Sequence, residues 1–493
     1  MQTPRNNLHR DTDIAWQKYG LDQAFSEAFA SNLPVFLFWG AEWCPDSTQV
    51  QVAIFDRPEF ISRIQRFIAV HIDGDDEQAQ WLGERLGISN YPTMTIFDPN
   101  GREVTRLPCE IGIQQYAHAL DSTLAIMTPV PALLREFVSD SKGQLDEDKW
   151  RMLAYYNWEQ DGLRACSGLD PVPVITALAE ACPDNMPIER SRLLVARVRA
   201  MLGSDGLSES DRQSGTEQLI KVLAEPDLCM ANLDMIINHP TPTTAGLTRA
   251  GSPLRRSLAS AWLKSLDALE GTGTLSATQQ VHITRARIRL LRTDDALATL
   301  PSALLEQALA KADWVNANIL GRERAPAVNA AANTLTEAGL FAEATSFLLG
   351  QLTTVTSAFY FMHKLSITAR KAGQTRQSLA WLERAHAEAM GPATRFQWGV
   401  NRVIGLVDMA PDEADVIEQT AASLISELGK SMNPLHNRNV TRLQQLDSKL
   451  RQWNESNIHA QSLQHIRAAL VDVCASLREN QAVPLICQEF LAA

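Results

Sequence analysis

Missing from this 493-residue chain are the short signatures of several common chemistries. It has no Cys-x-x-Cys, no His-Glu-x-x-His, no glycine-rich phosphate loop and no nucleophile-elbow serine. Zinc-dependent hydrolysis, P-loop phosphoryl transfer and serine-hydrolase chemistry are therefore left without their usual residues, and no cofactor or metal is expected. Cysteines number seven, at 44, 109, 166, 182, 229, 474 and 487. An odd, scattered set does not match the stapling of a small secreted domain, and most of those in the C-terminal three quarters are expected to be buried and inert. Basic residues are in the minority, 45 Lys and Arg against 57 Asp and Glu, and the net charge of −12 argues against general binding to nucleic acid. No stretch is long and apolar enough to cross a membrane, and Met1 to Arg10 lacks the apolar core of a secretion signal. A cytoplasmic protein is expected, with the periplasm as the alternative if a signal has been removed.

What the chain does contain is Trp43-Cys44-Pro45-Asp46-Ser47 coming directly off the apolar run Pro34 to Trp39. This pattern places one thiol where a buried strand passes into a helix. A thiolate is the reactive form of cysteine, and the unpaired amides of a helix N-terminus favour it. Asp46 acts in the opposite direction, or simply complements the helix dipole. Ser47 reads equally as a local hydrogen-bonding residue. Further on, Tyr91-Pro92-Thr93 leads into the alternating run Thr93 to Phe97. Helical spacing is predicted for Leu21 to Ala30, Val50 to Gln65, Gln78 to Leu86 and Ile111 to Leu124. Strands are predicted at Pro34 to Trp39, Phe67 to Asp73, Thr93 to Phe97 and Arg102 to Leu107, with Asp98-Pro-Asn-Gly101 as a turn.

This order of elements, with Trp-Cys-Pro and a proline before a strand, resembles the thioredoxin superfamily over roughly Leu21 to Leu124. Among its branches it is similar to the bacterial thioredoxin domains related to the thiol-transferring domain of membrane thiol reductases. The resemblance implies an α/β domain with a mixed sheet between helices, a cis proline at Pro92 lying against the Cys44 thiol, and a groove framed by Trp43, Pro45, Asp46, Tyr91 and Thr93. It also marks two departures. Ser47 stands where the second motif cysteine belongs, so the local resolving thiol is gone. The strand before the motif offers Val35, Phe36, Leu37 and Phe38 in place of the buried acid that relatives often carry. Cys109 falls where relatives usually have glycine, on the loop beside the active thiol. On that basis Cys44 and Cys109 either lie near enough to pair or resolve each other's mixed disulfides, or Cys109 is only a small residue in glycine's place.

From about Asp146 onward Ala, Leu, Arg, Glu and Gln recur at helical spacing, which predicts a large all-α region. Glu337-Ala-Gly339 and the following Ala342-Glu-Ala344 and Phe347-Leu348 correspond, thirty-four residues on, to Lys371-Ala-Gly373, Arg376-Gln-Ser378 and Trp381-Leu382. That period resembles tetratricopeptide repeats, and implies stacked helix pairs with grooves for a peptide. Phe359, Tyr360, Phe361, Trp381 and Trp398 are candidate groove residues, with core packing as the alternative. Arg285, Arg289 and Arg292 are read either as a basic binding face or as a solvated one. Asp73-Gly-Asp-Asp-Glu77 is acidic without calcium-ligand spacing.

The expected organisation is an arm at 1–17, a thioredoxin-like domain at 18–127, a linker at 128–143 and a helical-repeat region at 144–493. The pairing is similar to chaperedoxins. Two functions follow. In one, thiol-disulfide exchange of an oxidoreductase-like or chaperone-like kind, Cys44 forms mixed disulfides with a client protein or peptide, glutathione or another external thiol completes the exchange, and Ser47, Pro92 and Cys109 complete the site. In the other, the thioredoxin fold is a non-redox binding module of an interaction scaffold.

Overall fold

The computed structural model describes residues 14–17, 20–88, 90–139, 145–203, 207–355, 357–431, 434–477 and 485–492. Their chain contacts divide them into two compact units. The first comprises the described residues of Met1–Gly40, Pro45–Ile72 and Pro92–Ala338; the second comprises those of Ala41–Cys44, Asp73–Tyr91 and Gly339–Ala493.

In the first unit the sheet is mixed and four-stranded, in the order β2-β1-β3-β4, from β1 (Val35–Gly40), β2 (Ile68–Asp73), β3 (Thr93–Phe97) and β4 (Glu103–Leu107). β1 and β3 pair antiparallel with Val35 opposite Phe97 and Trp39 opposite Thr93, and β3 pairs antiparallel with β4. Every residue of β1 and of β3 is buried, as expected of strands covered on both faces. The predicted turn forms at Gly101, whose φ of 75° suits glycine, while Asp98 Oδ1 accepts the amides of Asn100 and Arg102. Helices α1 (Leu21–Ser31), α2 (Pro45–Val50), α3 (Pro58–Ile64) and α5 (Ile113–Ile126) belong with this sheet, and α4 (Glu77–Leu86) belongs to the second unit.

One local expectation fails. The helix predicted across Val50 to Gln65 is interrupted: α2 runs into a π-turn at Gln51–Phe55, and α3 restarts at Pro58. Proline has no N–H to donate, so it fits the first turn of a new helix and not the middle of an old one.

The sheet's core does not stop at residue 127. Phe36, Phe38 and Phe60 share one buried cluster with Val130, Leu133, Trp150, Tyr155 and Leu193. Val130–Ser139, within the segment expected as linker, is helical, while residues 140–144 lie outside the described residues. Of the expected arm only 14–17 are described: Gln17 bridges Val70 in parallel and Trp16 packs on Phe36, Phe38 and Phe55.

A large helical region follows, in which the Asp146 side chain caps Glu147–Ala154 by accepting the Lys149 amide. The two glycines of the thirty-four-residue spacing share one backbone state, with φ of 85° at Gly339 and 73° at Gly373. After Ala358–Lys371 the chain closes with a bond from the Gln374 amide to the Ala369 carbonyl, and Thr375–Glu388 begins at once. The matched positions are also buried alike: Ala344 with Ser378, and Leu348 with Leu382. In the second unit α4 packs on Pro392–Met409 and Asn437–Trp453.

Candidate functional site

β1 ends at Gly40, where a Cβ would come within 2.8 Å of the Phe38 ring and 3.4 Å of Ser47 Oγ, so only glycine fits. The chain then turns through Ala41 to Cys44, closed by the Cys44 amide donating to the Ala41 carbonyl at 3.0 Å, and α2 begins at Pro45. Cys44 is 7% exposed and Ser47 1%; Pro45 is buried and Asp46 is exposed. The open thiol expected from the motif is not found in this conformation.

Trp43, the neighbour of Cys44, is packed among aromatic rings. Within the second unit its indole lies 5.9 Å from the Tyr91 ring, edge to face, and 6.1–6.2 Å from those of Phe359, Tyr360 and Trp398. Its Nε1 donates to Asp75 Oδ2 at 3.2 Å. Asp75 Oδ1 in turn accepts the Thr394 amide at 2.9 Å, so this carboxyl serves the first turn of Pro392–Met409 in place of a local cap. Gly391, at φ 87°, precedes that helix, and a Cβ there would overlap the Asp75 carboxyl. Tyr91 is held by Gln80 at 3.0 Å and by the Arg438 guanidinium 4.2 Å above its ring. Of the candidate groove aromatics, Phe359, Phe361 and Trp398 are packed inside the helices, and Trp381 stacks under Arg384.

In the first unit Pro92 and Thr93 are buried at the start of β3, and the Cys109 thiol donates to the Pro92 carbonyl at 3.3 Å. Glu110, bonded to Asn238, is pushed up to about 8 by burial, with the carboxylates of Asp46 and Asp234 adding to it. Cys109, Glu110 and His282 line a void of about 20 Å³. Cys44 and Cys109 are both thiols; the disulfide present joins Cys474 to Cys487, two of the five cysteines of the helical region, most of which were expected to be buried and inert. Cys166, Cys182 and Cys229 are buried thiols, as expected.

A four-stranded mixed sheet with a Trp-Cys-Pro turn between β1 and α2 and a proline entering β3 is now in view. Residues 21–124 match the thioredoxin-like domain family. No curated protein matches the chain. The thioredoxin-like domain thus covers the span read from the motifs, followed by a helical region.

Two further readings meet their geometry. Arg285 and Arg289 both bind the Glu337 carboxylate, and Arg292 donates to the carbonyls of Glu337 and Ala338, so the basic face is occupied internally. Burial would raise the Glu337 carboxyl, but Arg285 and the bonds from both guanidinia outweigh it and hold it at about 2. Asp73 and Asp75 organise the loop, with the Asp75 amide donating to Asp73 Oδ1, and no metal-holding cluster occurs among the described residues. Sequence reasoning did not find Asp75: its partners lie 32 and 319 residues away, and no local spacing encodes such pairs.

Asp75 supplies a pH signature. Burial pushes its carboxyl up to about 7, with the Thr394 bond and Arg438 opposing and Asp73 reinforcing. In an unfolded chain the group releases its proton near pH 4. Between those values the folded chain keeps a proton that the unfolded chain has lost, so this contribution is complete below about pH 4 and fades as pH rises through about 7. Three pH units correspond to a contribution on the order of 3–4 kcal/mol. The urea midpoint of the wild type, taken from pH 4 to 8, is expected to fall relative to that of Asp75→Asn as pH rises, the slope common to both curves including that of Glu110; parallel curves would rule it out.

Proposed function

We propose that the chain is a protein-interaction scaffold in which the thioredoxin-like domain is a folded binding module and the tetratricopeptide-like helical region adds recognition surface. The observation that carries this reading is the near-complete burial of Cys44 together with Trp43, its neighbour, anchored among Tyr91, Phe359, Tyr360 and Trp398. A nucleophile that attacks a client disulfide needs access as well as thiolate character. Ser47 in place of a resolving thiol and the apolar strand Val35 to Phe38 support the same reading. The partner is a protein or peptide and not nucleic acid, in keeping with the net charge of −12.

Mixed-disulfide exchange with a client, completed by glutathione or another external thiol, is the second reading. It is favoured by the retention of Cys44 and Cys109 as thiols, with Cys109 bonded to the Pro92 carbonyl. It requires the 41–44 turn to leave its aromatic seat first. The Cys474–Cys487 disulfide favours the oxidising compartment of the two considered.

Thiol reactivity separates the readings. Native wild type and Cys44→Ser are exposed to maleimide and, separately, to glutathione disulfide, with adducts located by mass spectrometry. The scaffold reading expects Cys44 to react roughly a hundredfold more slowly than in urea, as protection of about 3 kcal/mol implies. Rapid, Cys44-dependent glutathionylation of the native protein would transfer the assignment to thiol exchange.

A further inference from the structure

A groove of about 660 Å³ opens in the first unit between the helix Pro253–Gly271 on one side and the helices Glu209–Ala224 and Pro226–Ala231 on the other. We propose that this groove docks an acidic amphipathic helix of a partner protein. The proposal rests on the scaffold reading and names the class of partner.

The floor is apolar. Ile220, Leu223, Pro226 and Ala261 contribute carbon, and Cys229 lies at the base with its thiol donating to the Val222 and Leu223 carbonyls at 3.5 Å. Burial first, with the nearby Glu225 carboxylate adding, pushes that thiol up to about 11, so the floor is chemically inert. Glu225 itself stands between the two helices of the far wall.

The near wall carries the charge. Arg256, Ser260, Lys264 and Ala268 follow one another at four-residue steps along Pro253–Gly271 and all line the groove. Both cations are exposed, and neither enters an ion pair among the described residues; Arg256 donates to the Gly251 carbonyl. Two cations that enter no such pair, against the single nearby carboxylate of Glu225, run against the sign of a chain whose net charge is −12. Charge complementarity therefore selects an anionic occupant.

The dimensions select a helix. From Arg256 to Ala268 the wall extends about 18 Å at 1.5 Å per residue, room for roughly three helical turns. A four-residue ridge is the surface into which another helix packs, with apolar side chains at i, i+3, i+4 and i+7 entering the floor. Arg256 and Lys264 stand about 12 Å apart along the axis, which matches carboxylates seven or eight residues apart on the incoming helix.

The test uses the full-length chain and a fluorescein-labelled designed helix with leucines at i, i+3, i+4 and i+7 and glutamates on their flanks, read by anisotropy. Binding is expected, weakening as salt is raised. A version with lysines for the glutamates should bind at least tenfold more weakly. The double variant Arg256→Glu with Lys264→Glu is expected to lose roughly tenfold in affinity, since two exposed pairs turn from attraction to repulsion. Ser260→Trp should abolish binding by filling the groove, and Lys371→Glu, on a different helix, should leave it unchanged. All these positions are exposed, and circular dichroism checks that the fold is retained. No binding of the acidic helix, equal binding of its basic counterpart, or indifference to the double reversal overturns the proposal. Because the maleimide experiment at Cys44 reads a different part of the chain, rapid thiol exchange there would refute the scaffold reading without touching this result.

Discussion

Arg106→Leu is expected to destabilise the first unit by about 3–5 kcal/mol, the range for removing one member of a buried ionic network. Arg106 stands on β4 with its side chain 4% exposed. Its Nε donates to Glu103 Oε1 at 2.9 Å and lies 3.3 Å from Asp161 Oδ2, and its Nη2 donates to Glu103 Oε2 at 3.1 Å. Asp161 is 5% exposed and also accepts the Tyr156 hydroxyl at 2.6 Å, while Glu103 is shared with Arg164 at 2.9 Å. Leucine would fill the space but leave Asp161, 5% exposed, without its guanidinium, while Glu103, 18% exposed, keeps Arg164.

The network's position explains why the consequence extends past the immediate contacts. β4 is the edge of the sheet, and the Asn157 amide donates to the Arg106 carbonyl at 3.0 Å, so the first helices of the helical region grip the edge strand through both backbone and charge. Edge strands invite unwanted pairing, and covering one removes that hazard. Hydrogen exchange of the β4 amides is the measurement suited to a chain of two units, where a single unfolding free energy is poorly defined. Faster exchange throughout β4 and Trp158–Ala165 is expected. Arg106→Lys keeps the charge without the planar fork and should fall between wild type and Arg106→Leu. A leucine variant with unaltered β4 exchange would mean that the network contributes nothing net.

The order of strands and helices around the motif was legible because each signal is local: a buried apolar run before Trp43, a turn sequence at Asp98 to Gly101, a proline before β3. The same holds for the helical region, where Gly339 and Gly373 announce their left-handed turns by being glycine at a fixed spacing. What could not be read was whatever depends on pairs far apart in the chain. Trp43 looked like part of an open groove because its partners Phe359 and Trp398 are more than three hundred residues away. Arg285 and Arg289 were read either as a basic binding face or as a solvated one, and no local spacing showed that one glutamate, Glu337, occupies both. The break at Pro58 was the opposite case, a local signal outweighed by the helical spacing on either side of it.

Trp43→Ala is expected to raise the alkylation rate of Cys44 by roughly a hundredfold while destabilising the second unit by about 3 kcal/mol. Truncating a buried aromatic removes its transfer free energy and leaves a hole, with about 3–5 kcal/mol for full burial. Trp43 is only partly buried, which places it at the lower end. Four rings lie within 6.2 Å of it, and its indole N–H is one of the donors that satisfy Asp75. Without the indole the Ala41–Cys44 turn loses its tether to Pro392–Met409, and Asp75 keeps Thr394 and the Arg438 charge but not the indole donor. If Cys44 reacts only when that turn opens, weakening its seat by about 3 kcal/mol increases the open population by about two powers of ten. Trp43→Phe separates the two contributions: it keeps most of the ring packing and deletes the N–H, so a change of about 1 kcal/mol and about fivefold in rate is expected. Alkylation kinetics of Cys44 in the wild type and both variants, with Cys44→Ser as the blank, decide the matter. Unchanged reactivity in Trp43→Ala would show that packing elsewhere, and not the tryptophan anchor, keeps the thiol covered.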